Sequence, residues 1–201
     1  MAAANPKPRT LVLGHSFVRR LEDFAAQKHS DGSFDLNLGL AKVCSVVFHG
    51  KGGRTVDKTI KYDLDDIRSA APHIVILELG SNDLCDKDND PETIALSIVA
   101  LTELLLKDLK LRFIIVCEAI ARQKEPFDGY NEKATQMNDH LKELLRGVSV
   151  AKCWQHRGLI QPTNNAVYDR DGIHLNYMGN KALYRSYRGA ILWALSQVKK
   201  G

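Results

Sequence analysis

His73-Ile-Val-Ile-Leu-Glu-Leu-Gly-Ser-Asn-Asp83 is the stretch on which the fold turns. Its first seven residues are almost continuously apolar and lack the alternation of a strand with one wet face. Such a run, rich in β-branched residues and closed by glycine, predicts a strand covered on both faces, as in a parallel sheet flanked by helices. Working outward, the same grammar repeats. Towards the N-terminus, Thr10–Gly14 reads as a strand and Ser16 to about Gln27 as a helix, with Phe17, Leu21, Phe24 and Ala25 at helical spacing. A second strand runs over about Lys42–Phe48, and a short helix over about Asp63–Ala70 stops before Pro72. Towards the C-terminus, Pro91 opens a helix to about Leu109, since proline suits a first helical turn. Arg112–Glu118 is a fourth strand, about Asn131–Arg146 a helix, Val148–Cys153 a fifth strand and Tyr177–Val198 an amphipathic closing helix. Strand–helix alternation of this kind predicts right-handed βαβ units: an α/β fold, one three-layer α/β/α domain around a five-stranded parallel sheet. Residues 10–201 form that domain and residues 1–9 a flexible lead-in.

The bulk properties agree. The chain has 201 residues, enough for one domain with a sizeable core, and no repeat or interdomain linker. Lys and Arg number 28 against 24 Asp and Glu, a net charge of +4 that falls short of a dedicated nucleic-acid binder. Apolar residues at 44% and charged residues at 26% are globular proportions. No apolar run is long enough for a transmembrane helix, and the first nine residues lack the apolar core of a signal peptide. Cys44, Cys85, Cys117 and Cys153 are dispersed without metal-ligand spacing. Three of them sit in apolar runs as small buried hydrophobes, so an intracellular, reducing compartment, most simply the cytoplasm, is expected. Sequence alone leaves a disulfide open.

In a parallel sheet ligands bind beyond the carboxyl ends of the strands. Polar, glycine-rich segments fall there: Gly14-His15-Ser16, His49–Thr55, Gly80-Ser81-Asn82-Asp83 and, before the last helix, Asp171-Gly172-Ile173-His174. Each reads in two ways. Ser16 is a helix N-cap or a nucleophile at a strand-to-helix turn. Asp171 and His174, three apart, let a carboxylate hold one imidazole nitrogen while the other faces outward; an acid at a helix start is also good for the dipole. Gly53 and Asn82 are a turn glycine and a cap, or oxyanion donors that join the Ser16 N–H. Gly50-Lys51-Gly52-Gly53-Arg54-Thr55 also admits a phosphate cradle but lacks Walker A spacing. His49 and His73 are edge or surface residues, no metal or other cofactor is implied, and Glu78 needs a buried donor.

The order Gly-x-Ser, Gly-x-x-Gly-x-Thr, Gly-x-Asn-Asp, Asp-x-x-His resembles the SGNH (GDSL-type) hydrolase superfamily from Leu11 to the final helix. Glu78–Asp83 and Asp171–His174 are its most specific stretches, close to those of bacterial thioesterase/lysophospholipase members. The resemblance implies the flavodoxin-like fold of that superfamily and a serine esterase that cleaves a carboxylic ester or thioester, of a small molecule or lipid, through an acyl-enzyme. Ser16 would be nucleophile, His174 base and Asp171 its orienting carboxylate; the Gly53 N–H and Asn82 amide would complete the oxyanion hole. One position departs from the pattern: the family usually carries Asp before the serine, and here stands His15, a modulator of the turn or an extra base. That departure keeps a second expectation in view, an inactive or weakly active binding domain contacting lipid, glycan or nucleic acid. Gly14–Leu21 and Leu183–Ala190 look similar to uncharacterised superfamily proteins of animal genomes, some from mobile elements.

Overall fold

The computed structural model describes residues 7–27, 32–159 and 165–198. Its elements run β1 (Arg9–Gly14), α1 (Ser16–Ala26), β2 (Ser45–Gly50), α2 (Val56–Tyr62), α3 (Leu64–Ala70), β3 (Ile74–Glu78), α4 (Pro91–Asp108), β4 (Phe113–Cys117), α5 (Tyr130–Leu144), β5 (Ala151–Trp154) and α6 (Tyr177–Val198), with 3-10 turns at Asp83–Cys85 and Asn165–Val167. The five strands pair in parallel in the order β2-β1-β3-β4-β5. The chain leaves β1 to one side and returns on the other to β3. The carboxyl ends of these neighbours therefore flank the switch point where such sheets bind ligands.

Because successive strand residues face opposite ways, the sheet separates two cores. Val12, Ile74, Ile76, Phe113 and Ile115 pack with α1 and α6, joined by Leu21, Tyr187 and Ile191. Leu11, Leu13, Val75, Leu77, Ile114 and Val116 pack with Val56 and Ile67 of α2 and α3 and with residues of α4 and α5 such as Leu101 and Leu141. These are the three layers that the continuous apolar strands demand.

Boundaries differ from the sequence reading in three places. Val56–Tyr62 is a helix of its own, capped by Thr55, whose hydroxyl accepts from the Lys58 N–H at 3.3 Å; only Val56 and Thr59 of it are buried, which leaves no periodic signal. β2 starts at Ser45 because Leu40–Cys44 is a turn, closed by the Val43 and Cys44 N–H groups donating to the Leu40 carbonyl. β5 starts at Ala151, since Val148 and Val150 are exposed. Of the expected lead-in, residues 1–6 lie outside the described residues. Lys7 to Arg9 are tied in: Lys7 Nζ donates to the Ala41 carbonyl at 2.7 Å, the Pro8 carbonyl accepts from Ser45 at 3.0 Å, and Arg9 opens β1. All four cysteines are free, Cys44 and Cys117 buried, Cys153 partly so and Cys85 exposed.

Candidate active site

Gly14 ends β1 between Gly50 of β2 and Glu78 of β3. A Cβ on Gly14 would come 2.4 Å from the Glu78 carbonyl oxygen, so only glycine lets the chain turn so tightly into α1. The cap of α1 is His15 rather than Ser16. His15 Nδ1 accepts from the Phe17 N–H at 3.4 Å, and the imidazole is buried. Burial is the main reason its pKa falls to about 4; Arg122 and the other histidines add to this, while Glu78 opposes it. The imidazole is therefore neutral near pH 7. Accepting at Nδ1 leaves the proton on Nε2, and this atom is buried without a described partner. With capping done by its neighbour, the Ser16 hydroxyl is free for another role.

His174 Nε2 lies 3.1 Å from Ser16 Oγ, and His174 Nδ1 lies 2.6 Å from Asp171 Oδ2. The other Asp171 oxygen accepts from the backbone N–H groups of Ile173 and His174 at 2.9 and 2.8 Å. Partial burial would raise the Asp171 pKa. The hydrogen bonds from the His174 ring and from the two N–H groups outweigh it and hold the carboxyl well below the usual range. An ionised carboxylate can only accept, so the proton between Asp171 and His174 sits on Nδ1. The neutral ring then offers a bare Nε2 to the Ser16 O–H. Phe17 meets the His174 ring edge-on at 6.2 Å and walls one side.

The loops after β2 and β3 are fastened to this centre and to each other. The Lys51 N–H donates to the Gly14 carbonyl at 3.0 Å. Asn82 Nδ2 donates to the Arg54 carbonyl at 2.9 Å, which uses one amide hydrogen and leaves the second for a ligand oxygen. The Val56 N–H donates to Asp83 Oδ1 at 3.0 Å. Gly53 has φ +70° and open space around it, so the backbone conformation itself calls for glycine there. Arg54 is gripped in turn: its Nε and Nη2 each donate to a different oxygen of buried Asp63 at 2.7 Å. Lys51 Nζ and His49 Nε2 reach the same carboxylate at 3.1 and 3.2 Å. His49, Asp63 and Asp66 sit close enough to suggest a metal site, but Asp63 already holds a bidentate guanidinium and an ammonium, and the cluster does not fit a further cation.

Sequence reasoning missed several contributors. Arg122 lies over the Tyr130 ring at 4.5 Å, and its Nη2 donates to the Ser81 carbonyl at 3.1 Å; the Tyr130 hydroxyl donates to the same oxygen at 2.9 Å. Both thus clamp the Gly80–Asp83 loop from positions 41 and 49 residues further along the chain. Glu78 finds its donors too: the Tyr187 hydroxyl at 2.8 Å and His156 Nε2 at 2.9 Å. Burial alone would raise the Glu78 pKa, but His156, His15 and Tyr187 outweigh it and hold the carboxyl below the ordinary value. His73, an edge residue as expected, accepts the Arg9 N–H at its Nδ1 at 3.0 Å.

Against this geometry, the comparison with known families is decisive. Residues 12–182 match the model of the GDSL-like lipase/acylhydrolase family. The chain belongs to that family. Membership supports ester hydrolysis as its general chemistry and covers every segment of the site. Among solved structures, a GDSL-like lipase from Bacteroides thetaiotaomicron superposes with a TM-score of 0.74 at 15% identity, over 96% of this chain and 93% of that one. An acetyl xylan esterase from Geobacillus stearothermophilus gives 0.66 at 15% identity, over 96% and 95%. An acetyl esterase mutant bearing an acetate ion gives 0.69 at 14%, over 95% and 99%. At such identities these likenesses show the fold. No curated protein matches the chain. Among the described residues, no helix is long and apolar enough to cross a membrane.

Proposed function

We propose that this GDSL-family member is a serine esterase acting through an acyl-enzyme, with Ser16 as nucleophile, His174 as general base and Asp171 as the carboxylate that fixes the imidazole. The observation that carries the reading is the unbroken chain of Ser16 Oγ, His174 Nε2, His174 Nδ1 and Asp171 Oδ2 at 3.1 and 2.6 Å. A serine hydroxyl is a poor nucleophile until a base takes its proton during attack. Attack by Ser16 Oγ on the ester carbonyl forms the C–O bond as His174 Nε2 receives the proton. The Asp171 carboxylate stabilises the imidazolium without itself being protonated. Collapse of the tetrahedral intermediate passes that proton to the departing alkoxide or thiolate. Water, deprotonated by the same imidazole, then releases the acid and restores Ser16. The Ser16 and Gly53 N–H groups and the second Asn82 amide hydrogen are the donors assigned to the developing oxyanion, and no step requires a metal or cofactor.

The acetyl esterase and acetyl xylan esterase of like fold make acetyl esters the substrates to try first, followed by a series of longer acyl chains and a thioester. Hydrolysis of nitrophenyl acetate is expected from the wild-type protein and only background rates from Ser16→Ala and His174→Ala, with circular dichroism unchanged. A fluorophosphonate should label the wild type at Ser16 alone. Turnover retained by Ser16→Ala would sink the assignment. A wild type that neither hydrolyses nor labels would favour the binding-domain reading, for which His15 in place of the family's usual Asp is the specific observation.

A further inference from the structure

A concavity whose lining includes none of Ser16, Asp171 and His174 lies where the end of β5 faces α6. It measures about 640 Å³, within the range of small-molecule sites, and is lined by Lys152, Trp154, Gln155, Arg157, Arg185 and Ser186 among others. Among the described residues its lining holds three cations and no carboxylate. Elsewhere some basic side chains are neutralised by carboxylates, Arg54 and Lys51 by Asp63, Arg68 by Asp65 and Asp108, Lys142 by Asp139 and Arg146 by Glu143. Lys152, Arg157 and Arg185 form no ion pair with any described carboxylate. Lys152 instead lies over the Trp193 ring at 4.3 Å.

The floor of this concavity is rigid. Trp154 Nε1 donates to Ser186 Oγ at 3.1 Å, and Ser186 Oγ lies 2.8 Å from His156 Nδ1. His156, almost fully buried, is anchored through Nε2 to Glu78. The Ser186 hydroxyl is thus tied on one side to the indole and on the other to the buried His156–Glu78 pair. The indole is thereby held in place as a flat wall. On α6, Ala182, Ser186 and Gly189 present only small side chains to the space. Two guanidinium forks and an ammonium beside an aromatic face, without a competing acid, suit a doubly charged phosphate better than a single carboxylate.

We propose that this concavity binds a phosphomonoester, with Arg157 and Arg185 gripping the phosphoryl oxygens, Lys152 adding charge and Trp154 covering the organic part. The same headgroup chemistry occurs in a soluble phosphate ester and in a phosphatidic acid surface, and the test separates the two. Glycerol 3-phosphate is titrated into wild-type protein and into an Arg157→Gln/Arg185→Gln double variant by calorimetry. Trp154 fluorescence, read in a Trp193→Phe background, serves as the local reporter. Saturable one-to-one binding is expected, weakened at least about tenfold in the double variant and weakened further by salt. Circular dichroism and thermal unfolding of that variant should match wild type, which shows that it folds and keeps this test separate from the esterase reading. Binding to phosphatidylcholine vesicles containing phosphatidic acid, lost in the same variant, would assign the phosphate to a lipid even where glycerol 3-phosphate fails. Absence of both interactions, or affinities unchanged by the double substitution, would overturn the proposal.

Discussion

His15 shows how one residue can set both a turn and a pH limit. It caps α1 through Nδ1 and is buried as the neutral ring, with its pKa lowered to about 4 chiefly by burial. In the unfolded chain the ring titrates near its ordinary 6.5. Between these values the unfolded state binds more protons than the folded one, so stability rises with pH across that window. Acidification from pH 6.5 to 4 should therefore cost roughly 3 kcal/mol through this group alone. Urea unfolding of the wild type minus that of His15→Asn, which keeps a capping acceptor, should slope over this window and be flat above it. A difference that does not vary with pH would remove His15 as the cause. At the proposed catalytic residues, Asp171→Asn should keep the fold but lose about four orders of magnitude in kcat, because an amide no longer enforces the Nδ1 proton. Pre-steady-state kinetics with nitrophenyl acetate would show the loss in acylation.

At the scale of elements, the loops after β2 and β3 act as one unit, held by Asn82 on the Arg54 carbonyl and Asp83 on the Val56 N–H. Asn82→Ala removes a proposed oxyanion donor and should cost about 10²–10³ in kcat. Asp63→Asn acts one step further back: it loosens the grip on Arg54, whose carbonyl positions Asn82. It should lower kcat about tenfold with KM little changed, a smaller loss than that of a direct donor. Equal losses in kcat/KM from the two variants would contradict this order. Asp83 carries a titration of its own, for burial pushes its carboxyl up to about 6 against the backbone hydrogen bonds that favour ionisation. Its contribution is fully present below the unfolded value of 3.8 and is lost as pH rises through about 6. Asp83→Asn should therefore stabilise the protein at pH 8 and leave it unchanged near pH 3.5, as thermal unfolding at the two pH values would show.

These elements also mark what could be read in the chain. The strand His73–Leu79, the turn after Gly14 and the pair Asp171 and His174 were legible because each is local: an apolar run, a glycine before a helix, a spacing of three. The meeting of Ser16 with His174 across the whole chain was legible only through the order of the motifs, since no local rule joins residues 158 positions apart. The capping role fell to His15 instead of Ser16 because an imidazole nitrogen can replace the oxygen that caps usually supply. Glu78 and Ser81 stood out in the chain, the first as an acid that needs a buried donor, but their partners Arg122, Tyr130, His156 and Ser186 did not. Those partners find them only through tertiary packing. Helix α2 stayed hidden for the opposite reason: a strong turn signal, Gly50–Gly53, masked a short helix with two buried residues.

Across the whole molecule, the sheet divides the core in two, and the division has a functional side. Leu175, Val167 and Tyr168, which flank the Asp171–His174 turn, belong to the core built by α1 and α6. The Tyr168 hydroxyl donates to the Ala121 carbonyl, and Asp169 and His174 are joined by a backbone hydrogen bond at 2.7 Å. The proposed base thus rides on one core and is insulated from the other by the sheet. Ile191→Ala on α6 and Leu101→Ala on α4 remove similar side chains from fully buried positions in the two cores. Each should cost about 2–5 kcal/mol. Their effects should add within about 0.5 kcal/mol, because the residues share no partner across the sheet. The consequences for the site should nonetheless differ. Hydrogen exchange over residues 166–176 should quicken in Ile191→Ala and stay at the wild-type rate in Leu101→Ala under conditions where both remain folded. Equal acceleration in the two variants would mean that the two cores open together and that the His174 turn draws its rigidity from the sheet as a whole.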